Sequence, residues 1–133
     1  MGRTSEVTMG KPDTLVGRVP GRLVLWERNA SHSQIAFRAW ETLEGGGERT
    51  HTVRFAGVTY IAAATTIASA TIYEADDEQR DELLDRLALQ PSRVLTLGTK
   101  LFVLQGKARV MNYVFASRCD VEVSEHGPAT LDL

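Results

Sequence analysis

The spacing of apolar and polar residues predicts strands, then one helix, then strands again. GRLVLWER (21–28) follows the turn signal Pro20-Gly21. Leu23 and Leu25 alternate with Val24 and Trp26, so both faces carry apolar groups, as in a central strand. SQIAFRAWETL (33–43) has a period close to two. Ile35, Phe37 and Ala39 share one face; Gln34, Arg38 and Thr42 share the other, where Trp40 is the exception. The glycines of EGGGE (44–48) reach positive φ without a Cβ clash, so the chain turns easily there. RTHTVRFAGVTYI (49–61) then alternates again, with Val53, Phe55 and Ile61 opposed to Thr52, Arg54 and Ala56. The two runs form a hairpin centred near Gly46, which would set His51 opposite Glu41.

From Thr52 to Glu74 the chain has one Gly and no Pro, Asn or Asp. As one strand this run would span about 75 Å at roughly 3.3 Å per residue, far beyond ordinary strand length. It must therefore bend inside YIAAATTIASATIY (60–73). A helix there would align Ile61, Ala64, Ala68 and Ile72 on one stripe. The Ile and Thr content, which loses χ1 freedom in a helix, favours two strands with an irregular corner near Ala63–Thr66.

ADDEQRDELLDRLALQP (75–91) predicts a helix near 77–89. Asp76 or Asp77 can cap it, acids crowd its positive end, and Leu83, Leu84 and Leu87 form its buried stripe before Pro91 stops it. RVLTLGTKLFVLQ (93–105) reads as a strand bent at Gly98, and Gln105-Gly106-Lys107 as a hairpin tip. In ARVMNYVFASRCDVEV (108–123), Met111, Tyr113, Phe115, Cys119, Val121 and Val123 share one parity. The expected fold is α+β: a mainly antiparallel sheet of about six to eight strands, with one helix near 77–89 packed on one face. Residues 1–133 fit one domain, with a loose lead-in at 1–20 and a polar tail at 125–133.

Composition narrows the function only coarsely. Apolar and charged fractions are ordinary, and no apolar run approaches the ~20 residues of a membrane helix. MGRTSEVTMGKPDT has no apolar signal core, and Cys119 is the sole cysteine, so a cytoplasmic protein without disulfides is expected. The net charge of −2 is unevenly spread. Residues 74–90 carry seven acids against two bases, and residues 91–118 carry five bases and no acid.

Chemical motifs are sparse. His32, His51, His126 and Cys119 lack metal-ligand spacing, so neither a metal nor a cofactor is expected. Cys119 reads as a small buried hydrophobe, and no nucleophile elbow or phosphate loop occurs, so no catalytic residue is assigned. The leading expectation is a non-enzymatic domain that binds a protein or itself, without membrane partners. Its contact surface would be the small-residue run, Ala62, Ala64, Thr66 and Ala68, together with exposed strand edges. One alternative is a small-ligand protein or enzyme with a pocket between helix and sheet, using His51, Tyr60, Tyr73 or Tyr113. Another is nucleic-acid binding through Arg93, Lys100, Lys107, Arg109 and Arg118, with Tyr113 and Phe115 between them.

Overall fold

The computed structural model describes residues 14–126 apart from 30, 32, 96 and 97. It contains strands β1 (Thr14–Asn29), β2 (Gln34–Thr42), β3 (Glu48–Ala56), β4 (Tyr60–Ala62) and β5 (Thr66–Glu74), then helix α1 (Asp77–Arg86) and the helical turn α2 (Pro91–Val94). Strands β6 (Lys100–Gln105), β7 (Asn112–Ala116) and β8 (Arg118–His126) complete it. All eight strands lie in one antiparallel sheet, in the order β4-β7-β6-β5-β1-β2-β3-β8.

The two ends of that order meet. β4 continues β3 after residues 57–59, and β8 continues β7 after Ser117. The ribbon β3–β4 therefore runs beside the ribbon β7–β8, pairing Ala56 with Arg118 and Tyr60 with Phe115. Between these pairs the Ser117 amide donates to the Ala56 carbonyl (2.9 Å) and the Thr59 amide to the Phe115 carbonyl (2.8 Å). The sheet thus closes as a barrel of six ribbons. The edge of β8 that faces away from β3 has no backbone partner among the described residues.

Inside the barrel Val19, Leu23, Phe37, Val53, Phe55, Ile72, Phe102, Leu104 and Val114 form the core. Phe55 packs its ring against both Phe37 (6.3 Å) and Phe102 (5.7 Å). A second apolar layer lies outside, where Leu83 and Leu84 of α1 and Val94 of α2 cover Leu101, Tyr113 and Phe115. The helix is built as its sequence implies. Asp76 accepts from the Gln79 amide (2.8 Å), and the Gln79 side chain accepts from the Asp76 amide (3.2 Å), a reciprocal capping box. Its other end closes with Leu89 N–H bonded to the Leu84 carbonyl (3.0 Å) and Ala88 at φ 57°, the left-handed closure usually given to glycine.

Several expectations change. Residues 14–20 are not a loose lead-in: they form the first half of β1, and Thr14 to Val19 pair with Glu74 to Ala70. Residues 1–13 lie outside the described chain. Pro20-Gly21 does not begin a strand but interrupts one, at a register shift between Val19 and Arg22. Residues 125 and 126, expected to open a tail, still belong to β8, and 127–133 lie outside the described residues. The helix ends at Arg86 rather than 89. Residues 93–94 belong to a helical turn that Pro91 opens at its first position, so the strand begins only at Lys100. The hairpin pairs Ala39 with His51 and Glu41 with Arg49, a register centred on Gly45.

The run 60–73 resolves into β4, a corner at 63–65, and β5. Asn112, 4 % exposed, holds the corner: its Oδ1 accepts from the Ala64 amide (2.8 Å) and its Nδ2 donates to the Leu104 (3.2 Å) and Val110 (3.3 Å) carbonyls. The Leu25 amide donates to the Thr65 carbonyl (2.8 Å). One buried side chain thus replaces the Gly or Pro that the corner lacks.

Gly57 sits where the ribbons cross, at φ 66°. A Cβ there would meet Ser117 Oγ at 2.3 Å and Ser117 Cβ at 3.1 Å. Gly45, at φ 91°, has open space around the same position. Gly57→Ala is therefore expected to cost about 1–3 kcal/mol, clearly more than Gly45→Ala, measured by urea denaturation. Equal costs would mean that the crossing tolerates a side chain.

Candidate functional site: an aromatic and cationic sheet face

Two tryptophans face outward from β1 and β2. Trp26 is 54 % exposed and Trp40 40 %, the only tryptophans of the chain. Trp26 lies at a register shift between Leu25 and Glu27, so the strand locally carries an extra residue. Its ring lies against that of Trp40, with centroids 5.1 Å apart and planes at 71°. The Arg38 guanidinium carbon lies 5.4 Å from the Trp26 centroid.

Register extends this face. Val24 pairs with Arg38 on one side and Thr66 on the other. Arg22 pairs with Ala68, whose carbonyl accepts from the Lys107 amide (3.1 Å). Thr66, Ala68, Arg22 and Lys107 are all exposed. The result is a low shelf of small side chains on β5 beside the raised indoles, with cations set around it. Among the described residues Arg22, Arg38 and Lys107 form no ion pair. Nearby acids are engaged elsewhere: Glu27 (3.6 Å) and Glu122 (3.9 Å) with Arg54, and Asp120 with Arg118 (2.9 Å).

Arg38 Nε is buried without a hydrogen-bond partner. An unpaired buried donor costs about 1–3 kcal/mol. A partly exposed cation–π contact returns about 0.5–1 kcal/mol. Stability alone therefore does not account for this arrangement.

Of the residues singled out for an interface, Thr66 and Ala68 lie on this face. Ala64 is exposed in the corner beside them, and Ala62 pairs with Tyr113 across the molecule's other outer face. The signal that points to the tryptophans is already in the sequence: Trp40 occupies the polar parity of its strand.

The four residues proposed for a helix–sheet pocket divide. Tyr73, Val103, Tyr113 and Ala62 stand in one row across β5, β6, β7 and β4. Tyr60 stacks on Tyr113, with centroids 6.2 Å apart and planes 12° apart. Burial first, and then Tyr60, push the Tyr113 hydroxyl above its ordinary pKa. His51 is apart from them. It is 6 % exposed, and its Nε2 lies 3.2 Å from Glu41 Oε1. A groove of about 240 Å³ does open between α1 and the sheet, lined by Leu83, Leu101, Val103 and Met111 among others, but by none of the four. Tyr60 instead lines a cleft of about 210 Å³ beside Arg28, and a second cleft of about 290 Å³ lies on the other side of that arginine.

The basic residues of 91–118 scatter. Arg93 is on α2, while Lys107 and Arg109 sit in the loop after β6. Lys100 pairs with Glu74 (3.7 Å), and Arg118 begins β8 and bonds Asp120. His32 lies outside the described residues. No group of three or more His, Cys, Asp or Glu that could hold a metal occurs among the described residues. No described helix is long and apolar enough to cross a membrane.

No family model matches the chain, and neither a curated protein nor a solved structure is significantly similar to it.

Two titrating groups yield predictions. The His51 hydrogen bond above all, with Arg49 also contributing, holds the Glu41 carboxyl below its ordinary pKa of 4.5. A depressed folded pKa contributes stability above the unfolded value, lost as pH falls through the folded one. Glu41→Gln should therefore flatten the loss of Tm below about pH 4.5, and an unchanged acid limb would contradict the pairing. Cys119 is pushed up to about 12, by burial first and then by Asp120. A colorimetric disulfide reagent at pH 8 should leave the folded protein unlabelled and react once urea unfolds it. Rapid labelling of the native state would contradict that burial.

Proposed function

We propose that this chain is a non-enzymatic binding domain whose contact surface for another protein, or for a second copy, is the outer face of β5, β1 and β2. The observation that carries the reading is the exposed Trp26–Trp40 pair with Arg38 against it. Trp and Arg dominate the energetics of protein interfaces because they bury much area and lose little freedom. The flat shelf of Thr66 and Ala68 lets a partner's backbone come close. An unreactive lone thiol suits a reducing compartment, so a cytoplasmic setting is part of the proposal.

A second reading has its own observation. The two clefts flanking Arg28 share Ile35 and Ile61 in their walls, and would suit a small ligand bound beside the barrel corner.

A photocrosslinking amino acid placed at Thr66 tests the first reading, with the same group at Glu78 on α1 as control. Expressed in cells, the protein should form a discrete adduct from 66 and none from 78. Trp26→Ala combined with Trp40→Ala should remove it, since each such anchor contributes about 2 kcal/mol or more. Adducts from 78 alone, or adducts indifferent to the tryptophans, would place the contact elsewhere.

A further inference from the structure

We infer that the partner of the Trp26–Trp40 face is an acidic protein segment with apolar side chains among its carboxylates. This rests on the reading above and adds the chemistry of what binds. Arg38, Arg22 and Lys107 lie along the face from β2 through β1 to the loop beside β5, and none meets a carboxylate among the described residues. The acids of the same outer surface, Glu27 of β1 and Glu122 and Asp120 of β8, are held by Arg54 and Arg118. A ligand that fits must bring its own negative charge to one side and apolar surface to the indoles. Charges of this kind steer and orient a partner more than they tighten it, and the tryptophans supply the anchor.

Two other occupants fit less well. Successive nucleic-acid bases stack on aromatic platforms that lie roughly parallel, whereas the two indoles stand at 71°. A longer polyanion would also run onto the strip of Glu27, Glu122 and Asp120. A second copy would have to offer its acidic helix, yet much of that charge is already met within the helix. Arg80 holds Asp77 (3.4 Å) and Asp81 (3.1 Å), and Arg86 lies 3.7 Å from Glu82.

Because both tryptophans of the chain lie in this face, intrinsic fluorescence reports on it directly. Three probes separate the chemistries: a short peptide of glutamates interspersed with leucines, its counterpart with lysines replacing the glutamates, and oligothymidylate. The acidic peptide should shift the emission saturably, and more weakly as salt rises. Arg22→Ala and Lys107→Ala, both at exposed positions that leave the core untouched, should each weaken it about threefold, and Arg38→Ala about tenfold or more, with circular dichroism unchanged. Binding of the lysine peptide or of oligothymidylate as tight as, or tighter than, the acidic one would overturn the acidic partner and leave the face standing as a contact surface. So would an emission change that follows protein concentration alone, with a dimer in sedimentation. Silence from all three probes would overturn the inference, and the crosslink from residue 66 would then decide the face by itself.

Discussion

The structure depends on one crossing, where residues 57–59 pass Ser117. The pairing on either side is antiparallel, with register shifts in β1. At the crossing two ribbons exchange backbone hydrogen bonds while each bends, and this joins the two ends of an eight-stranded sheet. Three residues on one ribbon face the short link through Ser117 on the other, so the alternation of faces slips by one. That slip sends Tyr113 and Phe115 outward beneath the helices, and Cys119 and Val121 inward to the barrel core. The fold obtains two apolar layers from one strand parity because the parity changes in mid-course. Gly57 permits the bend, since Ser117 fills the space a side chain would need.

This explains what could and could not be read from the sequence. Period-two alternation in 33–61 identified the hairpin, and the acids ahead of Leu83 identified the capped helix, because both signals are local. A bend in 60–73 follows from length, the Ile and Thr content favours strands on either side of it, and the corner falls at 63–65. Its cause was hidden, because Asn112 lies about fifty residues away and is one polar residue among many. Residues 14–20 looked loose for a similar reason. Their Gly and Pro are accommodated by register shifts, and the strand is supported by pairing with β5, which no local pattern shows. The single parity assigned to 108–123 failed at Ser117 because nothing in its composition marks a bulge.

The proposed contact surface was legible in one detail. Trp40 stood on the polar side of an alternating strand, a position that burial does not explain. Recognising the pair also required Trp26 beside it, and that came from the pairing of β1 with β2, which no local pattern shows. The small-residue run was expected to matter through close approach. Half of it serves the barrel corner and β4, while Thr66 and Ala68 form the low ground beside the indoles. Basic residues that are adjacent in sequence between 91 and 118 separate in space. Lys107 instead joins Arg22 and Arg38, which come from far earlier in the chain.

Closure also bears on the proposed contact surface. If the ribbons are joined, the facing edges of β4 and β7 are paired with each other, and the proposed partner would meet side chains on a face. If they part, backbone edges become available and β-strand addition competes with that face. Native-state hydrogen exchange at the amides of Thr59 and Ser117 measures this directly. The closed barrel predicts that both exchange only through global unfolding, in the slowest class with the amides of β2 and β3. Exchange of either by local opening, at rates like those of exposed loops, would contradict a closed barrel.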